Sequence, residues 1–331
     1  MKKMKFTFTS IALTFFILLI TGCTAATDTE TTLSEHTYIN IAIEEGSFGM
    51  PFVGLMYDNY QGLTENDYYF TVTNEQVIQE GLLSSKFDIG TVDINIAASL
   101  FNTTGGEIKL ISLNSYSDNF ILSRSQEIQN IQDLRGKTIH SAGRGRSQGY
   151  SFVHILRENG IDPYADLEIV WYYNHDHVAN RFLSREIDIV LLPKLFVTDV
   201  MQKDESIFIA LDLTIEWENV MNSTPFPSGS TVVRSEFLEN NPGAVISFLR
   251  EQETSVEFVV NDHQKASGLM EKFSITRAII AIDTLPYKRI VAINGTDLRL
   301  STQNFLEVMY YSNAESLGGS LPDQSFWFDI D

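Results

Sequence analysis

The chain has 331 residues, of which 23 are basic and 43 acidic, so its formal net charge is −20. This excess of acidic side chains repels nucleic-acid phosphates and argues against a nucleic-acid partner. With 44% hydrophobic and 20% charged residues the chain has the composition of a globular protein, and its length favours two domains over one. It contains one cysteine, so no disulfide can form within the chain.

The amino-terminal segment has the features of an export signal. Three lysines precede an apolar run, residues 11–20, which is shorter than the roughly 20 residues that a transmembrane helix needs. The run ends in Ile20-Thr21-Gly22-Cys23, which resembles the lipobox of bacterial lipoproteins. That resemblance implies cleavage before Cys23 and acylation of its sulfur and of the new amino terminus. The alternative is an ordinary cleaved signal that leaves a free thiol, but a reactive unpaired cysteine in an exported chain otherwise needs a partner.

We therefore expect a signal peptide at residues 1–22, followed by a lipidated Cys23 and a flexible tether that together span residues 23–37. Residues 24–37 are small and polar, which is typical of such a tether. Without residues 1–22, which contain three lysines and no acids, 20 basic and 43 acidic residues remain, a formal charge of −23. So acidic a chain is poorly suited to lying on anionic lipid, and two or more acyl chains would supply its membrane attachment.

Strand and helix patterns alternate after the tether. The predicted strands of this first series are 38–43, 68–73, 87–92 and 108–113, and the predicted helices are 50–60, 74–84 and 93–102. Strands separated by helical stretches of this length indicate βαβ units and a mainly parallel sheet.

A second series begins near residue 119. Its predicted strands are 120–122, 138–141, 168–172, 187–192 and 207–211, with helices at 149–158, 177–183 and 195–202. From residue 242 onward the patterns are helical, at 242–260, 262–273, 276–283 and 297–312. We predict an α/β protein with two lobes, in which residues 38–114 and 230–331 form lobe 1 and residues 115–229 form lobe 2.

Four junctions between a strand and a helix are rich in small or polar residues: 45–49, 90–93, 143–149 and 192–195. Ligands of open parallel sheets bind at such carboxyl ends of strands. Glycine allows close approach of the backbone to a ligand, and the free N–H groups of a helix's first turn favour negative charge.

The junction at 143–149 does not fit a nucleotide motif. Gly143-x-Gly145-x-x-x-Gly149 has one residue too many for the dinucleotide fingerprint, and it lacks the Lys-Ser/Thr ending of a P-loop. A plain structural loop and an anion site both remain open. Arg146 and Lys194 favour the anion site in so acidic a chain, although both could be solvated surface charges.

Other chemical signals are weak. His175-Asp176-His177 has a spacing compatible with zinc, but no further ligand cluster accompanies it, so a solvent-facing loop is preferred. Trp171-Tyr172-Tyr173 could stack on a ligand, although strand aromatics more often belong to a core. A His-Glu-x-x-His motif is missing from the sequence. We expect no metal, no cofactor and no enzymatic activity.

Five segments occur in the order of a known family, and the resemblance covers residues 38–328. They closely resemble extracytoplasmic substrate-binding lipoproteins of ABC importers, related to the nitrate/sulfonate/taurine-type receptors and the pyrimidine-precursor receptors. The segments are FDIGTVDINIAASLFNTTGGEIKLISLN, DLRGKTIHSAGRGRSQ, IDIVLLPKLFVTDVM, ALDLTIEWENV and SLGGSLPDQSFWF. The resemblance implies the two-lobed periplasmic binding protein type II fold, with a ligand held between the lobes.

The same resemblance implies which loops line the cleft. The ligand-binding residues expected from it are Ser47, Phe48, Gly49, Thr91, Asp93, Gly145, Arg146, Ser147, Gln148, Pro193 and Lys194. Related sequences often have Gly-Lys-Gly-Ala-Thr-Pro-Glu where this chain has residues 143–149, and Pro-Glu-Pro where it has residues 193–195. Both differences make the cleft more basic, so we expect an anionic solute.

We expect a monomeric receptor that captures a small solute and delivers it to the membrane subunits of an ABC permease. One alternative is an enzyme like the pyrimidine-precursor synthase of the same fold, whose site is rich in cysteine, whereas this chain has none beyond Cys23. Another is a sensory or adhesion lipoprotein without a transport role. Neighbouring genes for a permease and an ATPase would distinguish transport from sensing.

The lipobox predicts that Cys23→Ser releases the protein from the membrane or leaves it as an uncleaved precursor, because the cysteine that would carry the lipid is lost and the apolar run before it is too short to span a membrane. Immunoblots of membrane and soluble fractions measure this, with Thr32→Ser in the tether as the control that stays attached. A Cys23→Ser protein that is both cleaved and membrane-bound would contradict the lipoprotein assignment.

Overall fold

The computed structural model describes residues 36–222 and 224–329, which form two β-sheets surrounded by helices. The strands are β1 (Tyr38–Glu44), β2 (Asp67–Thr73), β3 (Ile89–Asp93), β4 (Ile108–Ser115), β5 (Asn119–Ser123), β6 (Thr138–Ser141), β7 (Glu168–Trp171), β8 (Ile189–Pro193), β9 (Phe208–Asp212), β10 (Gly229–Arg234) and β11 (Ile290–Ile293). The predicted signal peptide, Cys23 and nearly all of the tether lie outside these residues.

The helices follow the strands in the expected alternation. They are α1 (Val53–Gln61), α2 (Glu75–Leu83), α3 (Ile94–Thr104), α4 (Ser147–Glu158), α5 (His175–Leu183), α6 (Lys194–Lys203), α7 (Leu213–Val220), α8 (Ser235–Asn240), α9 (Pro242–Asn261), α10 (His263–Lys272), α11 (Ala278–Thr284) and α12 (Gly295–Ser312). Within the described ranges, none of them is long and apolar enough to cross a bilayer.

The two sheets define two lobes. Lobe 1 contains the six-stranded sheet, in the order β11-β4-β10-β3-β1-β2, and lobe 2 contains the five-stranded sheet, in the order β7-β6-β8-β5-β9. The chain passes from lobe 1 to lobe 2 between β4 and β5 and returns before β10. Lobe boundaries at residues 115 and 230 stay a prediction.

Both sheets are mixed, which corrects the expectation of mainly parallel sheets. In lobe 1, β1 runs parallel to β2 and β3, whereas β10 runs antiparallel to β3 and β4. In lobe 2, β6 runs parallel to β7 and β8, whereas β5 runs antiparallel to β8 and β9. Neighbouring parallel strands need a crossover connection on their own sheet. The chain enters β5 and β10 from the other lobe and not from a neighbouring strand of the same sheet. No crossover connection therefore holds these two strands parallel to their neighbours.

The central strands are buried because helices cover both faces of each sheet. All five residues of β3 are buried, as are the first four of β8. The carboxyl-terminal helix α12 contacts both lobes. Its Phe305 lies 5.5 Å, between ring centroids, from Trp217 of α7, while the helix also packs on β4 of lobe 1.

The parallel strands of lobe 1 bring polar residues to one edge of its sheet. Glu44 at the end of β1 is in register with Thr73 at the end of β2, so Glu75 follows directly in the first turn of α2. Asp93 ends β3 and caps α3 by accepting a hydrogen bond from the Asn95 N–H at 3.2 Å. Three carboxyl groups therefore meet at this edge.

Gly49 allows the loop after β1 to fold back under the strand. A Cβ at this position would lie 2.7 Å from the Glu44 carbonyl oxygen and 2.8 Å from Ile275 Cδ1. Both distances are too short for a real side chain. Only glycine therefore fits at position 49, next to the polar edge of the sheet.

We therefore expect Gly49→Ala to lower the free energy of unfolding by about 1–3 kcal/mol, because backbone must move to admit the methyl group. Gly268→Ala is the matched control. It lies in α10 with nothing within 4 Å of its added Cβ, and we expect it to be neutral or to stabilise by about 1 kcal/mol. Urea denaturation of the two variants measures the difference, and equal stabilities would contradict the packing argument.

Candidate functional site

A cavity of about 570 Å³ lies where the polar edge of lobe 1 faces loops of lobe 2. Lobe 1 contributes the loop after β1 and the start of α2, and lobe 2 contributes the segments that begin α4 and α5. Residues 275–277, 280 and 288 close one side. The carboxyl ends of strands thus line the cleft, as expected for open α/β sheets.

Arg146 crosses this cleft from lobe 2 to lobe 1. Its Nη2 lies 2.6 Å from Glu44 Oε1 and 2.9 Å from Glu75 Oε2, and its Nε donates to the same Glu75 oxygen at 3.0 Å. The guanidinium also lies 5.9 Å from the centroid of the Phe48 ring. One cation of lobe 2 is therefore bound by two carboxylates of lobe 1.

Ser147, the first residue of α4, makes a second set of contacts across the cleft. Its Oγ donates to Asp93 Oδ2 at 2.7 Å, and its N–H donates to Asp93 Oδ1 at 3.2 Å. Nearby, Asn95 Nδ2 donates to the Gly145 carbonyl at 2.9 Å. We call Glu44, Glu75, Asp93, Arg146 and Ser147 the interlobe network.

Burial governs the protonation of this network. It raises the pKa of Glu44 to about 7, because the lowering effect of Arg146 does not compensate for lost hydration and Glu75 adds repulsion. It also raises the pKa of Asp93 to about 6, with Glu75 contributing further. Burial by itself would lower the pKa of Arg146, but the surrounding carboxylates outweigh that effect and raise it, so Arg146 stays charged.

Lys288 and Asp118 form a second ion pair in the cavity wall. Lys288 Nζ lies 2.8 Å from Asp118 Oδ2, and the two side chains are only 2% and 9% exposed. Burial raises the pKa of Asp118 despite the lowering effect of Lys288. The Asp118 carbonyl accepts a hydrogen bond from the Lys194 N–H at 2.9 Å, which joins the β4–β5 crossing to the start of α6.

The cavity lining has more carboxyl groups than cations. The carboxyl groups belong to Glu44, Glu45, Glu75, Asp93, Asp118, Asp176 and Asp199, and the cations to Arg146, Arg277 and Lys288. Each of these three cations already forms an ion pair, since Arg277 binds Asp199. A solute anion must therefore compete with carboxylates of the protein.

Seven of the eleven residues expected to bind ligand line the cavity: Ser47, Phe48, Asp93, Arg146, Ser147, Gln148 and Pro193. The other four, Gly49, Thr91, Gly145 and Lys194, do not. Thr91 is fully buried, and its Oγ1 accepts from the Glu44 N–H at 2.7 Å. Lys194 Nζ lies 4.3 Å from the centroid of the Tyr287 ring. Lys194 thus does not line the cavity together with Arg146, and binding by any of the eleven stays a prediction.

Neither Glu44 nor Glu75 is among the residues predicted to line the cleft, although both bind Arg146. The rule that selected four strand ends also applies to β2, whose end is followed by Asn74 and Glu75, so it could have found Glu75. No comparable pattern marks Arg277 or Lys288, which reach the cavity from the carboxyl-terminal segment.

His175 occupies the first turn of α5 rather than the solvent-facing loop that was expected. Burial lowers its pKa to about 3, with a further contribution from Arg146, so its ring is neutral. Its Nδ1 is buried without a hydrogen-bond partner in the part of the chain that the structure describes. In the same part, no group of three or more His, Cys, Asp or Glu side chains is arranged to hold a metal ion.

Comparison with solved structures supports the fold. An ABC transporter protein from Parabacteroides distasonis superposes with a TM-score of 0.74 at 17% identity, covering 89% of this chain and 100% of that one. The periplasmic aliphatic sulphonate-binding protein of Escherichia coli gives a TM-score of 0.68 at 12% identity, covering 89% and 94%. A putative sulfonate-binding protein from Methylobacillus flagellatus gives 0.67 at 16% identity, covering 89% and 92%. No curated protein sequence matches the chain significantly.

The family profile described as "ABC transporter, phosphonate, periplasmic substrate-binding protein" matches residues 45–284, more than half of the chain. This match and the two-lobed structural relatives confirm the expected type II binding-protein fold and the expected receptor function, and they do not favour the enzyme alternative. The receptor is extracytoplasmic, and its partners are a small-molecule solute and an ABC permease. The chain thus belongs to the phosphonate-binding family of periplasmic substrate-binding proteins of ABC transporters.

Proposed function

We propose that this receptor is anchored to the cell membrane by a lipid on Cys23 and binds a small organic anion of the phosphonate or sulfonate class. The observation that carries the ligand class is the position of Arg146, a charged guanidinium that lines the cleft and contacts both lobes. A solute anion bound there would bridge the same two surfaces.

Three features support an anionic group at this position. Among the described residues, Nη1 of Arg146 has no hydrogen-bond partner, so one edge of the guanidinium remains for a ligand. Ser147 and Gln148 place the N-terminus of α4 in the cavity wall, where helix N–H groups favour negative charge. The family profile describes phosphonate binding, and two structural relatives are named for sulfonates.

A solute that also carries a positive or hydrogen-donating group is the second candidate. The excess of carboxyl groups in the lining favours it, as do two buried acceptors without a donor in the described residues, Glu44 Oε2 and Gln148 Oε1. An amino- or hydroxy-substituted phosphonate would combine both groups. A purely cationic solute would instead leave Arg146 without a role in binding.

Closure follows from contacts on both sides of the cleft. A solute shifts the balance between open and closed forms only if it binds the closed form more tightly. Arg146 and Ser147 come from lobe 2, whereas Glu44 and Asp93 come from lobe 1, so a solute between them would make such differential contacts. Two passages of the chain between the sheets allow a hinge motion of this kind.

Membrane attachment and the monomeric state belong to the proposal as well. The lipobox at residues 20–23 supports the anchor, and the tether that follows would let the receptor reach its permease. Membership of a family of ABC-transporter proteins supports a transport role over sensing.

Titration calorimetry of the mature chain tests the ligand class. The solutes are methylphosphonate, 2-aminoethylphosphonate and ethanesulfonate, with choline as the cationic comparison. We expect Arg146→Ala to weaken the anions by about 10- to 150-fold, because a charge-assisted hydrogen bond contributes about 1.5–3 kcal/mol. Arg146→Lys should weaken them less, since it keeps the charge and loses the planar fork.

Arg144→Ala is the matched control, because Arg144 is exposed, two residues away and outside this cavity. We expect less than about a threefold change from it, as for other exposed charges. Unchanged anion affinity in Arg146→Ala, or a preference for choline in the wild type, would contradict the anion proposal.

A further inference from the structure

Three carboxyl groups surround one guanidinium in the interlobe network. Glu44 and Glu75 both contact Nη2 of Arg146, and Asp93 accepts two hydrogen bonds from the adjacent Ser147. His175, which also lies near Arg146, is neutral and adds no positive charge. One cation cannot neutralise three carboxylates of which Asp93 is buried and Glu44 and Glu75 are only 14% and 12% exposed, so the network favours uptake of a proton.

The hydrogen bonds indicate which carboxyl group takes up that proton. Glu75 Oε1 accepts from the Asp93 N–H at 3.0 Å and its Oε2 accepts from Arg146, so both of its oxygens already accept hydrogen bonds. Asp93 accepts three hydrogen bonds, from the Asn95 N–H and from Ser147. Glu44 is different, because its Oε2 is buried and has no partner among the described residues.

We infer that Glu44 determines the specificity of the cleft for anions by occupying Arg146 in the empty receptor and releasing it when a solute anion binds. In that step a proton from solvent binds Glu44 Oε2, the ion pair between Glu44 and Arg146 is lost, and a solute oxygen takes its place on the guanidinium. The neutral Glu44 can then donate a hydrogen bond from Oε2. This inference rests on the proposed binding of an organic anion.

Proton uptake by Glu44 makes anion affinity depend on pH, with a definite sign. The charged or titratable groups that face Glu44 are Arg146, Glu75 and Asp93, and burial with Glu75 raises the pKa of Glu44 to about 7 in the empty cleft. A bound anion adds negative charge and raises this pKa further. Below about pH 7 the affinity is therefore highest and nearly constant, and above it the affinity falls by up to about tenfold per pH unit.

Calorimetry with methylphosphonate tests the coupling in wild type and in Glu44→Gln, which keeps the shape of the side chain and removes its charge. Titrations at pH 7.5 in two buffers of different ionisation enthalpy give the number of protons taken up. The titration of methylphosphonate itself is common to both proteins and cancels in their difference. We expect the wild type to take up more protons than the variant, by up to about one, and the variant to bind up to about tenfold tighter at pH 8.

Glu80→Gln controls for the change in net charge, because Glu80 is exposed on the same helix as Glu75 and lies outside the cavity. We expect it to match the wild type in affinity and in proton uptake. Glu75→Gln is the second variant, and it tests proton uptake by Glu44 if Glu44→Gln fails to fold. It removes a carboxylate that raises the pKa of Glu44, so the pH at which affinity begins to fall should move down.

Equal proton uptake and equal affinity in the wild type and Glu44→Gln would overturn the inference while leaving the anion proposal intact, and so would weaker binding by the variant. A pH midpoint that Glu75→Gln leaves unchanged would have the same meaning. A wild-type receptor that binds neither methylphosphonate nor ethanesulfonate would refute the anion proposal and this inference together.

Discussion

The ion pairs of Arg146 are the contacts on which the arrangement of this receptor depends. A single guanidinium from lobe 2 is held within 3 Å of two carboxylates from lobe 1, in a half-buried position where charges interact more strongly than at the surface and an unpaired one would be costly. Ser147 and Asp93 add hydrogen bonds beside it. The residues that line the cleft are therefore also the residues that connect its two walls.

This dual role links solute recognition to lobe movement. A solute that displaces Glu44 from Arg146 exchanges a contact within the protein for one with the ligand. The free energy of solute binding is therefore reduced by the free energy of the Glu44–Arg146 contact that is lost. Carboxylates of the protein can reject weak anions by the same competition. Specificity then depends on how much more tightly the solute anion binds the Arg146 guanidinium than the Glu44 carboxylate does.

Local patterns in the sequence predicted the alternation of strands and helices, the division into two α/β series and Arg146 as a cavity-lining cation. They missed β10, β11, α7 and α8, because four to eight residues give too few periods to distinguish a pattern. The pairing of Arg146 was also missed, since Glu44 and Glu75 lie 102 and 71 residues away and meet it only through the packing of two sheets. The antiparallel β5 and β10 follow from crossings between lobes, which no local periodicity encodes.

Small-angle X-ray scattering of the ligand-free mature chain tests the central claim, that Arg146 holds the two lobes together across the cleft. The account predicts a larger radius of gyration for Arg146→Ala than for the wild type, and a wild-type value for Arg144→Ala, whose side chain lies outside this cavity. Identical radii in all three proteins would contradict it.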